Sequence, residues 1–489
     1  MQILYVISEV APWIKTGGLA DVAASLPKAL LQADVDIRLL VPGYADLLAQ
    51  TPSLRLCTTL HLHDVPGRIL ETCLPGGVTA YVLACPGFSD RHGNPYMKPD
   101  GHAWDDNAQR FNRLALAAVA FANDLLPFRP HVLHLNDWQT GLVPVHLKQQ
   151  PTERPVKTIF TIHNLAYQGV FPAHLLSGLG IQPRWMTLDG LEFYGQISFI
   201  KGGIALADHI TTVSPSYAQE IQTPAYGEGL DGLLRHRARH LSGILNGIDT
   251  ELWNPETDPY LDAHYTVQHL QGKKNNKKAL RRSLGFPKSE QDIPLVAMIS
   301  RLAAQKGVDL VIAALPELMQ RPIELVILGS GDSGLEEALQ RAIAPFSERI
   351  ALRLGYDEAM AHRIEAGADM FLMPSRFEPC GLNQLYSLRY GTVPIARATG
   401  GLRDTIVDAT AQSLAKGTAS GILFEEPSAR ALLHAVDRAL TLYHDRKTWQ
   451  KMMRCGMAIE CSWSTSAAAY LQLYRELLAR PWADRELII

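Results

Sequence analysis

Short apolar runs rich in β-branched residues alternate along this chain with segments whose apolar positions recur at helical spacing. In the first half the short runs are ILYVISE, DIRLLVP, HVLHLND and KTIFTIHN, and a helical pattern covers residues 21–32. A second series begins after residue 290, with PLVAMISRL, GVDLVIAALPELM, IELVILGSG, RIALRLGY, ADMFLMPS, TVPIARA and ASGILFEEP. Strands that alternate with helices in this way form parallel sheets with crossover helices. We therefore predict an α/β fold with two doubly wound parallel sheets, one in each half.

A stretch rich in Asn, Gly, Pro and Asp, LSGILNGIDTELWNPETDP at residues 241–259, separates the two series. Such a composition is typical of a domain boundary. The predicted domains are residues 1–245 and 246–460, each Rossmann-like. The pattern of residues 461–489 is mainly helical, and we expect this tail to cross back to the first domain.

Length and charge limit the partners of the chain. Its 489 residues are 47% hydrophobic, which suits two soluble domains better than one core. The 46 basic and 49 acidic residues nearly cancel, so no overall field attracts nucleic acid or a membrane. Residues 272–283 are rich in Lys and Arg, but they lack interleaved aromatic residues and predict a solvated helix start. We expect neither nucleic acid nor a membrane as a partner.

The cysteines and the N-terminus bear on the compartment. The six cysteines are scattered without a CxxC pair, which argues against structural zinc and a disulfide framework and favours a reducing environment. The run MQILYVISEV has no basic leader and is interrupted by Glu9, so it predicts a first strand instead of a signal peptide. No run approaches the ~20 apolar residues of a membrane span. We expect a cytoplasmic protein.

Three motifs follow predicted strands, where open parallel sheets bind their ligands. The first is Lys15-Thr16-Gly17-Gly18-Leu19-Ala20-Asp21, a glycine turn that leads into a helix. Glycine lets backbone N–H groups approach an anion, the helix dipole favours negative charge, and Lys15 adds a full positive charge. An ordinary strand-to-helix turn has the same features, so this motif alone leaves both interpretations open.

The second motif consists of Arg301 and Lys306, which leave the strand PLVAMIS toward a helix start. Arginine can bind a diphosphate in a bidentate manner, and lysine acts on it as a point charge. Two solvated surface cations are the alternative explanation of this pair.

The third motif, PSRFEPCGL at 374–382, follows the strand ADMFLMP and opens a helical pattern. Glu378 suits the hydroxyls of a sugar, and the amides of Cys380, Gly381 and Leu382 would face anionic oxygens. A further glycine turn, TGGLRDTI at 399–406, leads into another helix. The third motif favours the functional interpretation of the other two.

Together these segments resemble a known family. The motifs KTGGLADV, HNLAYQG, NGID, SRLAAQKG, PSRFEPCGL and TGGLRDTI are similar, in the same order, to those of bacterial glycogen synthases and plant starch synthases. The resemblance implies a retaining glycosyltransferase of the GT-B fold with its active site between two Rossmann-like domains, no metal and no covalent cofactor. The implied reaction transfers glucose from ADP-glucose to the non-reducing end of an α-1,4-glucan, such as glycogen or a maltooligosaccharide.

The resemblance also implies roles for individual residues. Most of the donor-binding residues lie in the second domain, and the acceptor-binding residues lie in the first. The implied catalytic residues are Lys15, Asp137, His163, Arg301, Lys306 and Glu378, with Asp137 and His163 beside the transferred glucose. ADP-glucose would be bound by Lys15, Gly17, Gly18, Asp21, Asn246, Arg301, Lys306, Tyr356, Glu378, Cys380, Gly381 and Leu382, with Tyr356 stacked on the adenine. The acceptor glucan would lie along Glu9, Tyr96 and Trp138.

One position departs from the wider retaining GT-B pattern, which has a second glutamate eight positions after the first. Here that position is Tyr386. Bacterial glycogen synthases commonly carry a tyrosine there, so the departure narrows the family and weakens any role for a second carboxylate at the ribose. The residues leave open whether retention uses a double displacement or a front-face attack, and the family's behaviour favours the latter.

Other functions fit parts of the sequence. The GxGxxG match at Gly329–Gly334 indicates an NAD-dependent oxidoreductase, although no clear ribose-binding acid closes the next strand. A PLP-dependent glucan phosphorylase shares the fold and the glucan, but we find no motif for its cofactor lysine. A catalytically silent glucan-binding protein would have altered cations or no Glu378. A UDP-glucose-using synthase also stays open, because an aromatic ring stacks on either base.

Overall fold

The computed structural model describes residues 1–51, 53–63, 65–152, 154–289 and 291–480. The chain forms two compact units and passes between them twice. The first unit comprises Met1–Asn246 and the segment that begins at Trp463, and the second comprises Gly247–Ser462. Of the predicted C-terminal tail, residues 481–489 lie outside the described residues.

The first unit is built on a large mixed sheet. Its strands are β1 (Gln2–Val6), β2 (Asp36–Pro42), β3 (Arg55–Leu62), β4 (Val65–Cys73), β5 (Thr79–Ala84), β6 (Val132–Asn136), β7 (Lys157–Ile162), β8 (Val170–Pro172), β9 (Glu192–Phe193), β10 (Gln196–Ser198), β11 (His209–Thr212) and β12 (Leu241–Gly243). The described strands of the large sheet have the order β12-β11-β7-β6-β1-β2-β5-β4-β3. Its first seven strands are parallel, whereas β4 and β3 continue it as an antiparallel hairpin. Strands β8, β10 and β9 form a small antiparallel sheet.

Helices cover the parallel part of this sheet. They are α1 (Gly18–Gln32), α2 (Ala45–Gln50), α3 (Asn107–Ala122), α4 (Val143–Gln149), α5 (Phe199–Leu206), α6 (Pro215–Glu220) and α7 (Asp231–His236). Helix α1 shows why the sequence folds in this way, because Ala20, Ala23 and Leu26, spaced three residues apart, all face the core. Strand β6 is buried along its whole length between β1 and β7.

The second unit is a parallel sheet with helices. Its strands are β13 (Leu295–Ile299), β14 (Glu324–Gly329), β15 (Ile350–Leu354), β16 (Met370–Met373), β17 (Val393–Arg397) and β18 (Ile422–Phe424). Its helices are α8 (Gln271–Ser283), α9 (Val308–Leu318), α10 (Ser333–Ile343), α11 (Glu358–Gly367), α12 (Asn383–Arg389), α13 (Gly400–Thr405), α14 (Ala411–Lys416), α15 (Ala429–His444) and α16 (Arg446–Met457). The order β15-β14-β13-β16-β17-β18 is that of a doubly wound nucleotide-binding sheet.

The last described helix, α17 (Trp463–Ala479), belongs to the first unit. It packs beside α1, and its inward side chains are part of the first unit's core. The Tyr474 hydroxyl lies 2.6 Å from Nδ1 of His134 on the central strand β6, and both residues are fully buried. The helix is therefore joined to the middle of the large sheet by a buried polar contact.

The basic segment 272–283 corrects one expectation. It forms most of α8, but Lys273 is only 5% exposed. The Lys273 ammonium donates to the carbonyls of Glu365 and Ala366 at 3.0 and 3.2 Å, so it caps the C-terminal end of α11. The prediction of a solvated helix start is wrong for this lysine, because carbonyl acceptors replace the water that a buried cation would lack.

Candidate active site

Each doubly wound sheet has one position where the strand order reverses, and ligands of such sheets bind beyond the carboxyl ends of the strands there. In the first unit the reversal lies between β1 and β6. Glu9 follows β1, and Asp137 directly follows β6. In the second unit it lies between β13 and β16, which are followed by Arg301 and by the loop that contains Glu378. Four of the predicted residues, Glu9, Asp137, Arg301 and Glu378, thus follow the strands at the topological switch points of the two sheets.

Glu9 is buried at 3% exposure and has polar partners on two sides. Its Oε2 accepts the backbone N–H of Thr16 at 2.6 Å, and the Thr16 hydroxyl contacts both carboxylate oxygens at 2.8 and 3.0 Å. Its Oε1 also accepts the Tyr96 hydroxyl at 2.8 Å. Burial raises the pKa of this carboxyl, although these hydrogen bonds oppose the rise. Glu9 therefore joins the glycine turn to the loop of Tyr96.

The glycine turn leads into α1, as predicted. Gly17 is the N-cap residue and has no side chain to cap the helix, and its backbone N–H is bonded to the Glu9 carboxylate. Gly18 is the first helical residue. Lys15 forms a 2.8 Å ion pair with Asp21, and about a third of each side chain is exposed. A partly exposed lysine at a helix N-terminus is suited to an anion.

Asp137 has an unusual backbone, with φ at 54° and ψ at −177°. Its Oδ1 accepts the backbone N–H groups of His163 and Asn164 at 2.7 and 3.4 Å. Burial raises the pKa of Asp137 to about 7, against the effect of these two bonds. A left-handed conformation of a non-glycine residue costs energy and occurs preferentially at functional sites. The geometry aims this carboxylate at the end of β7.

The His163 imidazole lies next to Asp137 and is neutral. Burial lowers its pKa to about 3. Its Nε2 lies 2.9 Å from Oδ1 of Asn136, whose amide nitrogen donates to the Val6 carbonyl, so Nε2 is the protonated ring nitrogen. Asn136 was not predicted as a site residue, although an asparagine at the end of a buried apolar strand is a detectable signal.

Trp138 is packed more tightly than its predicted role at the glucan path suggests. It is 9% exposed and contacts Phe111, Phe171 and Phe199, with ring centroids 4.9, 5.8 and 6.3 Å away. A Cβ on Gly169 would lie 2.3 Å from its ring. Trp138 is thus a core residue of the first unit, and a contact with glucan stays a prediction.

In the second unit, Lys306 and Glu378 form a largely buried ion pair. The Lys306 ammonium donates to the two carboxylate oxygens at 2.8 and 2.6 Å, and the Ser375 hydroxyl donates to Oε2 at 3.0 Å. The side chains of Lys306 and Glu378 are 19% and 6% exposed. The sequence predicts both residues for the donor site, but it does not indicate that they form a pair, and Ser375 is not among the predicted site residues.

Close backbone contacts fix the loop that contains Glu378. Gly307 has φ at 68°, and a Cβ there would lie 2.1 Å from the Pro374 carbonyl oxygen. Gly400 has φ at 45°, and a Cβ there would lie 2.0 Å from the Glu378 carbonyl oxygen. Only glycine fits both positions without displacing the loop. Arg376 adds a bidentate ion pair with Asp309 at 2.6 and 2.7 Å.

The remaining predicted residues vary in exposure. Cys380 is buried, and Gly381, with φ at 74°, precedes Leu382, the N-cap of α12. Arg301 is exposed after β13, and Asn246, the last residue before the first crossing, is partly exposed. Tyr356 is 72% exposed, with its hydroxyl 2.7 Å from Oε2 of Glu358.

Tyr386 has a structural explanation. Its ring stacks on Trp253 with centroids 3.8 Å apart, and the opposite face of Trp253 stacks on His362 at 3.7 Å. His362 donates from Nδ1 to the buried Asp258 carboxylate at 2.7 Å. An aromatic residue at position 386 therefore completes a three-ring stack that a glutamate would interrupt.

The glycines of the GxGxxG match have a packing role. A Cβ on Gly329 would lie 1.9 Å from the Ser300 carbonyl oxygen, and one on Gly331 would lie 2.3 Å from that of Leu302. The Gly331 N–H donates to Glu336 at 2.7 Å, so it is already occupied. The motif follows β14, beside the strand at the switch point, which argues against the dinucleotide-binding alternative.

The described residues contain neither a metal-binding cluster nor a membrane-spanning helix. No cluster of three or more His, Cys, Asp or Glu side chains able to hold a metal ion occurs in this part of the chain. No described helix is both long enough and apolar enough to cross a membrane.

Known proteins match the chain over nearly its whole length. Residues 2–236 match the family model of the starch synthase catalytic domain, and residues 276–454 match that of the group 1 glycosyl transferases. Glycogen synthase 1 of Methylococcus capsulatus is 53% identical over 98% of this chain and 97% of its own length. The glycogen synthase of Thioalkalivibrio sulfidiphilus is 50% identical over 98% of this chain and 100% of its own length.

Solved structures show the same architecture. The catalytic domain of starch synthase IV from Arabidopsis thaliana, bound to ADP and acarbose, gives a TM-score of 0.89 at 32% identity over 98% of this chain and 99% of that chain. Sucrose-phosphate synthase from Thermosynechococcus elongatus gives 0.61 at 18% identity over 98% and 99% of the two chains, a likeness of fold alone.

The two doubly wound units and these matches define a retaining glycosyltransferase of the GT-B fold, which takes a nucleotide sugar as donor and a glucan as acceptor. More narrowly, the chain belongs to the family of the bacterial glycogen synthases and plant starch synthases. The predictions of fold class, enzyme class and family are confirmed.

Proposed function

We propose that this enzyme transfers the α-D-glucosyl group of ADP-glucose to the non-reducing end of an α-1,4-glucan and releases ADP, as a step of glycogen biosynthesis in the cytoplasm. Glycogen and maltooligosaccharides are the proposed acceptors. The relatives named glycogen synthase, and the ADP and acarbose bound by the similar starch synthase, support this reaction. The six free cysteines are consistent with a reducing compartment.

The buried pair of Lys306 and Glu378 carries the proposal. It combines, at the switch point of a nucleotide-binding sheet, a carboxylate for sugar hydroxyls and a cation for phosphate. Because both groups are shielded from water, their electrostatic effect on a bound donor is larger than it would be at the surface. A silent binding scaffold has no need for a cation held at this point.

Breaking the bond between glucose C1 and the diphosphate leaves negative charge on the phosphate and positive charge on the sugar. We assign the neutralisation of the phosphate to Lys306, Arg301 and Lys15, together with the first-turn amide of Gly18 in α1, which the turn at Gly17 leaves open to an anion. Such preorganised charges lower the barrier because they need no reorganisation during the reaction.

We assign the stabilisation of the positive charge on the sugar to Asp137 and His163. A carboxylate at position 137 stabilises that charge. The hydrogen bonds that it accepts from two backbone N–H groups fix the orientation of the carboxylate. The neutral imidazole of His163 does not repel a cationic sugar, whereas a protonated one would. Glu378 and Asn246 are assigned to the glucose hydroxyls.

The other assignments concern binding. The acceptor glucan is assigned to Glu9, Tyr96 and Trp138. The nucleotide is assigned to Tyr356, which would stack on the adenine, and the anionic oxygens to the backbone amides of Cys380, Gly381 and Leu382. Asp21 is assigned to the same ADP-glucose site as the ion-pair partner of Lys15.

The test is incorporation of labelled glucose into glycogen from ADP-glucose and UDP-glucose in parallel, with EDTA present. We expect transfer from ADP-glucose, unaffected by EDTA, and a fall in kcat of about 10²-fold or more in Lys306→Met if its charge acts in the transition state. The matched control is Lys447→Met, which removes an exposed lysine of the same unit and should leave kcat unchanged.

Each alternative has its own outcome. Preferred transfer from UDP-glucose would overturn the donor assignment and keep the enzyme class. No transfer from either donor, with maltooligosaccharide still bound, would indicate a silent glucan-binding protein. A normal kcat in Lys306→Met would overturn the role given to the buried pair.

A further inference from the structure

Arg110 is a buried arginine that forms no ion pair among the described residues. It lies on α3, is 1% exposed, and has no carboxylate within ion-pair distance among the described residues. Burial lowers the pKa of its guanidinium. Because a buried arginine without an ion pair costs several kcal/mol, its position requires compensation from other contacts.

Those contacts go to the loop of Tyr96. Arg110 Nη2 donates to the Pro95 carbonyl at 3.1 Å, and Nη1 donates to Oδ1 of Asn107 at 2.9 Å. The Asn107 amide nitrogen donates in turn to the Tyr96 carbonyl at 3.0 Å. Two successive carbonyl groups are thus held by two side chains of one helix that are also bonded to each other.

Aromatic rings hold the guanidinium itself. Its central carbon lies 5.0 Å from the ring centroid of Phe88 and 5.6 Å from that of Phe111. A Cβ on Gly87 would lie 3.0 Å from the Arg110 side chain. The guanidinium therefore cannot move away from the Pro95 carbonyl without displacing core residues.

The held loop directs the Tyr96 hydroxyl at two groups that follow β1. This hydroxyl donates to Oε1 of Glu9 at 2.8 Å and lies 2.8 Å from the Ser8 hydroxyl. We propose that Arg110 is a positioning residue for the acceptor glucan: through the Pro95 and Tyr96 carbonyls it sets the direction of the Tyr96 phenol and so of the Glu9 carboxylate. The inference rests on the proposed function, which assigns Tyr96 and Glu9 to the acceptor.

Loss of the Arg110 contacts should affect donor binding less than acceptor binding. Glu9 Oε2 keeps its bonds from the N–H and hydroxyl of Thr16 when the Tyr96 bond is lost. We therefore expect Arg110→Met to raise the KM for maltooligosaccharide about tenfold and to change the KM for ADP-glucose by less than twofold. Tyr96→Phe should have a similar effect.

The decisive measurement is a double-mutant cycle. If Arg110 acts through Tyr96, the variant with both Arg110→Met and Tyr96→Phe raises the acceptor KM no more than either single variant. Arg113→Met is the matched control: Arg113 lies on the same helix and also donates to a backbone carbonyl, that of Pro86 at 2.8 Å, but not in the Tyr96 loop. Its acceptor KM should stay within twofold of the wild type.

A second variant separates positioning from folding. Asn107→Asp keeps an oxygen for Arg110 and gives it an acidic partner, but loses the N–H that holds the Tyr96 carbonyl. We expect a folded protein with a raised acceptor KM. The inference would be overturned if the acceptor KM of the double variant rose by the product of the two single effects. An unchanged acceptor KM in Asn107→Asp would also overturn it. Absence of transfer in the wild type would instead contradict the proposed function.

Discussion

Replacement of Gly307 by alanine tests the geometry of the second unit most directly. Gly307 joins Lys306 to α9 in a left-handed conformation, which costs an alanine about 1–2 kcal/mol. The added Cβ would lie 2.1 Å from the Pro374 carbonyl oxygen, a contact that requires one backbone segment to move. Such overpacking adds about 1–3 kcal/mol, so we expect Gly307→Ala to lower the free energy of unfolding of this unit by about 2–5 kcal/mol.

The same movement should reduce catalysis. Pro374 precedes Ser375, which donates to Glu378, so displacement of this segment disturbs the contact of Glu378 with Lys306. Since a displacement of about 1 Å at a catalytic group can cost about 10²-fold in rate, we expect a fall in kcat/KM for ADP-glucose of that order.

The assay measures hydrogen exchange in peptides of the second unit as a function of urea concentration. It uses the full chain, and kcat/KM is measured on the same protein. Gly285→Ala is the matched control, because Gly285 has φ at 79° and no atom within 4 Å of an added Cβ. That control should lose only about 1–2 kcal/mol and keep its activity. If the two variants lose equal stability and both keep full activity, the close contact between Gly307 and Pro374 does not constrain the site.

Two further predictions concern stability. Burial raises the pKa of Glu365 to about 8, so this carboxyl is protonated in the folded protein at neutral pH. Because the unfolded chain loses that proton at lower pH, the free energy of unfolding should fall as pH rises from 5 to 7, by up to about 1.4 kcal/mol per pH unit. Glu365→Gln should remove this slope in urea titrations, and an unchanged slope would assign it to another group. Tyr474→Phe removes the partner of His134 Nδ1 and should cost the first unit about 1–3 kcal/mol by hydrogen exchange. A loss below about 0.5 kcal/mol would mean that this contact is not stabilising.

The elements that position the site could be predicted from the chain because their apolar patterns are strong. Apolar runs ahead of Asp137, Arg301 and Glu378 indicated strands, and the rule for parallel sheets placed all three at ligand-binding edges. The pairing of Lys306 with Glu378 could not be predicted, since the two residues are 72 positions apart and meet only because β13 and β16 are neighbours.

Other features were missed for different physical reasons. Strands β3 and β4 have many partly exposed polar positions, so no apolar run marked them. Lys273 and Arg110 are charged residues that sequence patterns assign to the surface, and only the carbonyl groups of other elements explain their burial. Tyr386 was recognised as a departure from a motif, but its reason, the stack on Trp253, depends on a segment more than a hundred residues away.

The return of α17 to the first unit has a consequence for the order of folding during synthesis. The ribosome makes the large sheet early, but the helix that contributes Trp463, Tyr470 and Tyr474 to its core emerges only after the entire second unit. Part of the apolar surface of the first unit therefore stays uncovered until the second unit has been synthesised. The second unit is continuous in the chain and can fold in the meantime, so the unit that is begun first is completed last.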